Sequence, residues 1–578
     1  MALRLQGSMV GLGAVMLALG GALAGCSDDP ATPGTDAAVT TDLGAPVDSG
    51  SPADTGVTPD AGTATDRPVA TDTPVATDTP VATDTGPVDA GSGARARLRV
   101  VHAAPGAGAV DIYAAGATTA AAPNVGYGTA TGYLELPPGP IAFDIRAAGA
   151  MGAPAFTTPT VTLVAGRSYT VIASGRLTST DAADRFRVLP LEEGFTADAT
   201  GSRVRIVHAG SDAPTVGIDV GNDNPAMAEV PSLARFADTG AAGVALPGNA
   251  ALQVGIVTGT PAARVTAFTT PELGAGNQWF VIATGLLPST DTAVNDGFGL
   301  LAVNQMGAVA FIKQNPRVHV VHAGADAPAV DLFAGPAGAG ANTARTLQIV
   351  DNLSYPVLMG ATTSGGLASV QVPPGSYGID IFPYAAGSTR PSGAPAFTVP
   401  TLALSPGRQY VAIAAYFLAP QAGQTPPDSA FTVLPLEYAM TNDAMNASAP
   451  RVVAVHASGD APSVDIGVLA GATFTPVFSN VPRSANSPAA GTTVPADPFT
   501  LAVRGAGAPA NAATFSIDLD VNQKVFVIAS GALTPRPAAG GGLADQAFHL
   551  SAVFANPGTV QLGAGAWSLA RINPRLPQ

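Results

Sequence analysis

From residue 95 onward apolar positions fall two apart in short bursts, as in "RLRVVHA" from Arg97 and "RVRIVHA" from Arg203. Residues two apart share one face of a strand, so the spacing predicts strands with an apolar side and a polar side. Most of these apolar residues are β-branched or aromatic, and Gly or Pro breaks the runs about every ten residues. A 3.6-residue period is nearly absent. The pattern predicts an all-β chain of short strands and tight turns, built as sandwiches.

The strands recur as a set. Four segments open alike: "RLRVVHAAPGAGAVDIY", "RVRIVHAGSDAPTVGID", "RVHVVHAGADAPAVDLF" and "RVVAVHASGDAPSVDIG". Each is followed by a middle turn at Leu136, Leu246, Val372 or Val494, and by a late strand from Tyr169, Trp279, Tyr410 or Val525. Repetition at this period means one domain present four times. Units one and three share "VLPLE" at Val188 and Val433, whereas units two and four share a "VP" element at Val230 and Val481. Units two and four also end alike, in "FIKQNPR" at Arg317 and "LARINPR" at Arg575, so the duplicated object is a two-domain pair. The expected architecture is four tandem Ig-like, Greek-key β-sandwiches in two pairs: residues 95–200, 201–315, 316–449 and 450–578, the last with a C-terminal tail. The boundary inside a pair is expected to be tighter than the one between pairs, with the first protease cut near Pro316.

The openings, the central "PPG", the late "VIASG" and "VLPL" together resemble the bacterial domain-of-unknown-function family 4397 over about residues 95–555. The resemblance implies a β-rich extracytoplasmic domain and brings no catalytic residues with it. Unit one departs from it, with Gly106 and Gly108 around the place where the others read "DAP".

Four of the six histidines stand in the repeated tetrapeptide: His102, His208, His322 and His456. Strand alternation puts each ring on the apolar face, where an unsatisfied polar group costs about 1–3 kcal/mol. Two partners are open: the carboxylates nine residues on (Asp111, Asp331 and Asp465, with Gly217 there in unit two and Asp219 nearest), or a loop carbonyl. A His/Asp dyad acting on a nucleophile is the sharper reading. It is disfavoured because the recurring hydroxyl changes from Ser174 to Thr284 to Ala415 to Ser530, and a base needs a constant nucleophile. A metal needs several converging ligands and each unit offers one recurrent His, so packing is preferred and neither metal nor cofactor is expected. Asp212, Asp326 and Asp460 precede a Pro turn and are read as bonding their own backbone two residues on, with calcium as the alternative.

The N-terminus carries Arg4, an apolar run and "LAGC" ending at Cys26, the only cysteine. It resembles a bacterial lipobox with a signal peptide over residues 1–25, implying acylation of Cys26 and, with Ser27 following, the outer membrane. No later apolar run reaches the ~18 residues of a spanning helix. Residues 26–94 read as a disordered linker, with Asp36, Asp42, Asp48, Asp54, Asp60, Asp66, Asp72, Asp78 and Asp84 spaced by six. Such a chain lacks apolar groups for a core and spans about 45–50 Å as a coil. Twelve Asp against Arg67 give this tether −11, leaving −5 beyond it once Arg4 is set aside. Without a basic stripe, nucleic acid is excluded as a partner.

The functional expectation is a non-enzymatic, lipid-anchored envelope protein, held to the membrane by its acyl anchor and meeting a protein or glycan partner in binding, adhesion or envelope structure. The alternative is a glycan-binding or glycan-processing hydrolase. Sugar platforms use exposed aromatics, and the two tryptophans are Trp279, expected in a core strand, and Trp567.

Overall fold

The computed structural model describes residues 7–9, 94–210, 212–286, 297–355, 366–438, 449–488, 490–521, 523–534, 546–555 and 567–572. Regular structure there is strand throughout, apart from a 3-10 turn at Pro225–Met227. Cys26 and the Asp hexads lie outside the described residues. Within the stretch expected as a signal, Gly7–Met9 pairs antiparallel with the start of strand Ala513–Ile517.

Each unit is a sandwich of two sheets. In the first, the order Arg187–Glu192, Ser168–Ser174, Ala96–His102, Leu134–Leu136 forms an inner sheet. The outer sheet runs Ala122–Val125, Val110–Ala114, Phe143–Ala147, Phe156–Thr157. The other three units repeat this plan. At the centre of every inner sheet the opening strand runs parallel to the late strand, in one register: Val101 faces Ile172, Val207 faces Ile282, Val321 faces Ile413 and Val455 faces Ile528.

Clean in-and-out alternation was expected of the opening strands; instead they are buried on both sides. Leu98 and Val100 point into the first sandwich, while Val101 and Ala103 point away from it and are also buried. The reason is a second packing layer. Val101, Ala103 and Ile172 of the first unit form one apolar cluster with Val207, Ala209, Phe280, Ile282, Leu301 and Val303 of the second. In the same way Val321, Val411 and Ile413 of the third unit meet Val453, Val455, Phe526, Ile528 and Val553 of the fourth. The two inner sheets of a pair therefore pack face to face. A strand covered on both faces carries a nearly continuous apolar run, and "VVHA" is one.

Between the pairs the contacts are polar. Arg317 Nη2 donates to Val265 O at 3.0 Å, and Gln371 Nε2 donates to Asn315 O at 2.9 Å. The connection itself is held in place: Asn315 and Pro316 are buried, and Asn315 N donates to Ala267 O at 2.8 Å. A protease needs accessible backbone, and this covered linker disfavours the early cut expected near Pro316, although among the described residues no apolar cluster spans the boundary.

The pair-specific motifs protect the sheet edges in two ways. In units two and four a fifth strand, Val309–Ile312 or Trp567–Ile572, extends the inner sheet; residues 567–572 of the C-terminal tail thus pack as a last strand. Among the described residues the inner sheets of units one and three end at Arg187–Glu192 and Thr432–Tyr438, where "VLPLE" places Pro190 and Pro435 on the edge. Proline withholds a donor from any further strand.

Core filling is uneven. Phe268 and Phe515 are fully buried in units two and four, opposite Val254 and Leu501 on the neighbouring strand. The equivalent position in unit three is Val399, opposite Ile379, and Ala412 stands where the sisters have Val171, Val281 and Val527. A cavity of about 80 Å³ results between the sheets of unit three, against about 20 Å³ in units one and four. At ~24 cal/mol per Å³ such a void costs about 2 kcal/mol.

Phe280 is completely buried at the centre of the first pair's interface. Phe280→Ala is expected to cost about 3–5 kcal/mol, seen in calorimetry as a lower melting transition for the first pair while that of the second stays put. Equal movement of both would show the pairs to unfold as one body.

Candidate functional site

The repeated imidazole sits where strand ends and loop begins. Each ring points into its own sandwich, and its Nε2 meets the carbonyl oxygen six residues on: His102 to Gly108 at 3.2 Å, His208 to Pro214 at 2.8 Å, His322 to Pro328 at 2.9 Å and His456 to Pro462 at 2.9 Å. A carbonyl only accepts, so Nε2 carries the proton and donates. The lone pair is left on Nδ1. In unit one it accepts from Ala104 N at 3.3 Å; Nδ1 of His208, His322 and His456 is buried with no partner. All four rings are at most 1% exposed. Burial holds each imidazole below its ordinary pKa, the carbonyl bond opposing only in part. They are neutral fasteners tying the Pro-containing loop to the strand.

Of the two partners left open by the sequence, the loop carbonyl is the one used. The carboxylates nine residues on do other work. Asp111 accepts from Asn124 N at 2.7 Å and Gly149 N at 2.8 Å; Asp331 from Asn352 N at 2.9 Å and Ala385 N at 3.0 Å; Asp465 from Asn480 N at 2.7 Å and Gly507 N at 2.9 Å. Each ties an edge-strand residue and the loop after the other neighbouring strand to the outer sheet. The asparagines adopt left-handed backbone, with φ of 53°, 50° and 50°, at a bulge in the neighbouring strand, a conformation Asn tolerates better than most. The N–H bonds, that of Asn124 foremost, hold the Asp111 carboxyl below its usual pKa. Unit two has Gly217 here because a Cβ would lie 2.6 Å from Val257 Cγ2; Asp219 serves more loosely, accepting from Asp223 N at 3.3 Å.

Two of the aspartates of the Pro turns, Asp326 and Asp460, reach much further than two residues. Asp326 accepts from Leu418 N at 2.6 Å and Ala419 N at 2.8 Å, and Asp460 from Leu533 N at 2.8 Å and Thr534 N at 2.9 Å. They fasten the opening turn to the loop after the late strand, which corrects the expectation of a local turn. Among the described residues no three His, Cys, Asp or Glu side chains converge as metal ligands.

The variable hydroxyl considered as a nucleophile faces the partner unit. Ser174 Oγ donates to Ala209 O at 2.7 Å, and Thr284 Oγ1 donates to Ala103 O at 2.7 Å. These acceptors are the alanines of the tetrapeptide, so the bonds form a reciprocal clasp across the first interface. Arginines make a second one: Arg99 Nη1 donates to Asn304 O at 2.5 Å and Arg205 Nη1 to Glu192 O at 2.7 Å. In the second pair His319 and Val453 replace these arginines and Ala415 replaces the serine. That interface closes with Tyr416 Oη and Ser484 Oγ 2.7 Å apart, and with Arg483 donating to Pro427 O at 2.6 Å. Burial places the His319 imidazole well below its ordinary pKa.

Sequence reasoning missed these cross-domain side chains. The signal was present as a charged residue, Arg99 or Arg205, inside an otherwise buried run. It also missed a buried knot on unit three, where Asp380 pairs with Arg345 at 2.6 Å and Arg390 at 2.7 Å. Burial pushes the Asp380 carboxyl up, but the two guanidinium groups outweigh it and hold it below the usual range.

Fold and site together define a protein of four β-sandwiches in two face-packed pairs. Residues 96–219 and 316–467 match a domain of unknown function, DUF4397; the chain carries tandem repeats resembling it. Each match begins at the opening strand of an odd unit and runs into the first two strands of the next, so it takes in both tetrapeptides of a pair. No curated protein matches the chain. A solved structure, provisionally described as a cell adhesion protein from Bacteroides ovatus ATCC 8483, is 12% identical and covers 42% of this chain and 96% of its own, with a TM-score of 0.15. That score is too low to carry fold or role across.

His322→Ala is expected to lower stability by roughly 1–3 kcal/mol, read as a lower melting temperature. Acid should act through the same rings. Unfolded histidines take up protons below about pH 6.5, while the folded ones resist, so stability is full above that pH and falls as pH drops below it. The slope is at most about 1.4 kcal/mol per pH unit per ring. Urea titrations between pH 7.5 and 5 test this, and a flat midpoint would contradict it.

Proposed function

We propose that the chain is a non-enzymatic, lipid-anchored envelope protein whose paired sandwiches serve binding, adhesion or envelope structure. One observation carries the reading: the recurring polar groups that could do chemistry are spent on the fold. The imidazoles hold loop carbonyls, the repeat carboxylates hold backbone N–H groups, and the strand hydroxyls of the first pair hold the partner unit. A hydrolase would need at least one such group free beside a substrate. Trp279 is equally committed, 8% exposed with Nε1 donating to Leu273 O at 2.9 Å, and offers no sugar platform.

The anchor rests on "LAGC" at Cys26 and on the acidic tether after it. Several acyl chains bind a bilayer stably where one alone is marginal. The partner is a protein or glycan met on the exposed faces, and the outer membrane is the place. Labelling cells with a clickable palmitate analogue should mark the wild type and not Cys26→Ser, which should leave the membrane fraction. An unacylated mature protein starting elsewhere would overturn the anchor. A pull-down from envelope extract with residues 95–578 should capture a protein or a polysaccharide, whereas turnover of envelope glycan by the same fragment would overturn the non-enzymatic reading.

A further inference from the structure

The cavity of the third sandwich is apolar almost throughout, with Val320, Leu332, Ile379, Val399, Leu402 and Ala412 among its lining. Its one hydroxyl, Tyr377 Oη, is turned to Pro373 O at 2.7 Å. A lining of this kind stays dry and accepts apolar guests. It also has a side from which a guest can enter. The strands Phe397–Leu404 and Thr432–Tyr438 each end their sheet on the same flank, where Val399, Leu402 and Val433 are half-buried and Pro435 is exposed. Units two and four continue the inner sheet on that flank with a fifth strand, and among the described residues unit three does not.

We infer that the third sandwich binds an unbranched aliphatic chain, inserted between its sheets from this flank. At about 80 Å³ the space is roughly half of a void that takes benzene, enough for the short end of an acyl chain. Any polar head would remain outside, beyond Pro435. Shape makes the site specific to this unit, since Phe268 and Phe515 occupy the corresponding space in units two and four and the cavity of unit one is only about 20 Å³. This goes beyond the proposed envelope role and does not depend on the anchor.

The test is calorimetric titration of the full mature chain with sodium octanoate. Saturable binding of one octanoate per chain is expected, weakened at least tenfold in Val399→Phe and, independently, in Ala412→Val. Ala412→Val restores the residue found in the sister units, so it should fold and melt a few degrees higher than the wild type without ligand. Sedimentation of the non-acylated chain with phosphatidylethanolamine vesicles separates the sources: binding lost in both variants points to a membrane lipid tail, and octanoate binding alone points to free fatty acids. No saturable octanoate binding, or binding unchanged in both filled variants, would overturn the inference.

Discussion

Everything in this protein follows from one strand being covered on both sides. The opening strand lies at the middle of its sheet, packs inward on its own sandwich and outward on the sandwich of its pair-mate. Each letter of "VVHA" then has one task. The first Val fills the core and the second fills the interface; His ties the loop from inside. The backbone carbonyl of Ala in the first pair receives the partner's hydroxyl. Two-sided burial leaves no position free to vary in character, which accounts for four nearly identical copies in a chain otherwise rich in small, exchangeable residues.

The two pairs solve the same interface with different chemistry. The first buries arginines whose donors reach across to backbone carbonyls, a satisfied arrangement that would be costly if the partner were missing. The second uses His319, Val453 and a Tyr–Ser contact. The same two-sided burial is thus closed by arginines reaching main-chain carbonyls in one pair and by smaller or aromatic side chains in the other.

The fold class, the four units and their pairing were legible because turns, strand spacing and repeated motifs are local signals. The preference for a structural His rested on the same kind of signal, since a lone imidazole on an apolar face has few other uses. What stayed hidden depends on distance. Asp326 finds Leu418 and Asp331 finds Asn352 only after the chain has folded back, although the recurring Asn before Val or Leu at Asn124, Asn352 and Asn480 marked the bulge in advance. The outward face of the opening strand read as polar by rule, and only the presence of a second sandwich explains why it is not.

The parallel pairing of first and late strands has a mechanical consequence. A pull arriving through the N-terminal side enters the first sandwich at Ala96, along a strand bonded in parallel to Ser168–Ser174 over six residue pairs. Load applied along such strands shears those bonds together, so they must fail at once instead of unzipping in turn.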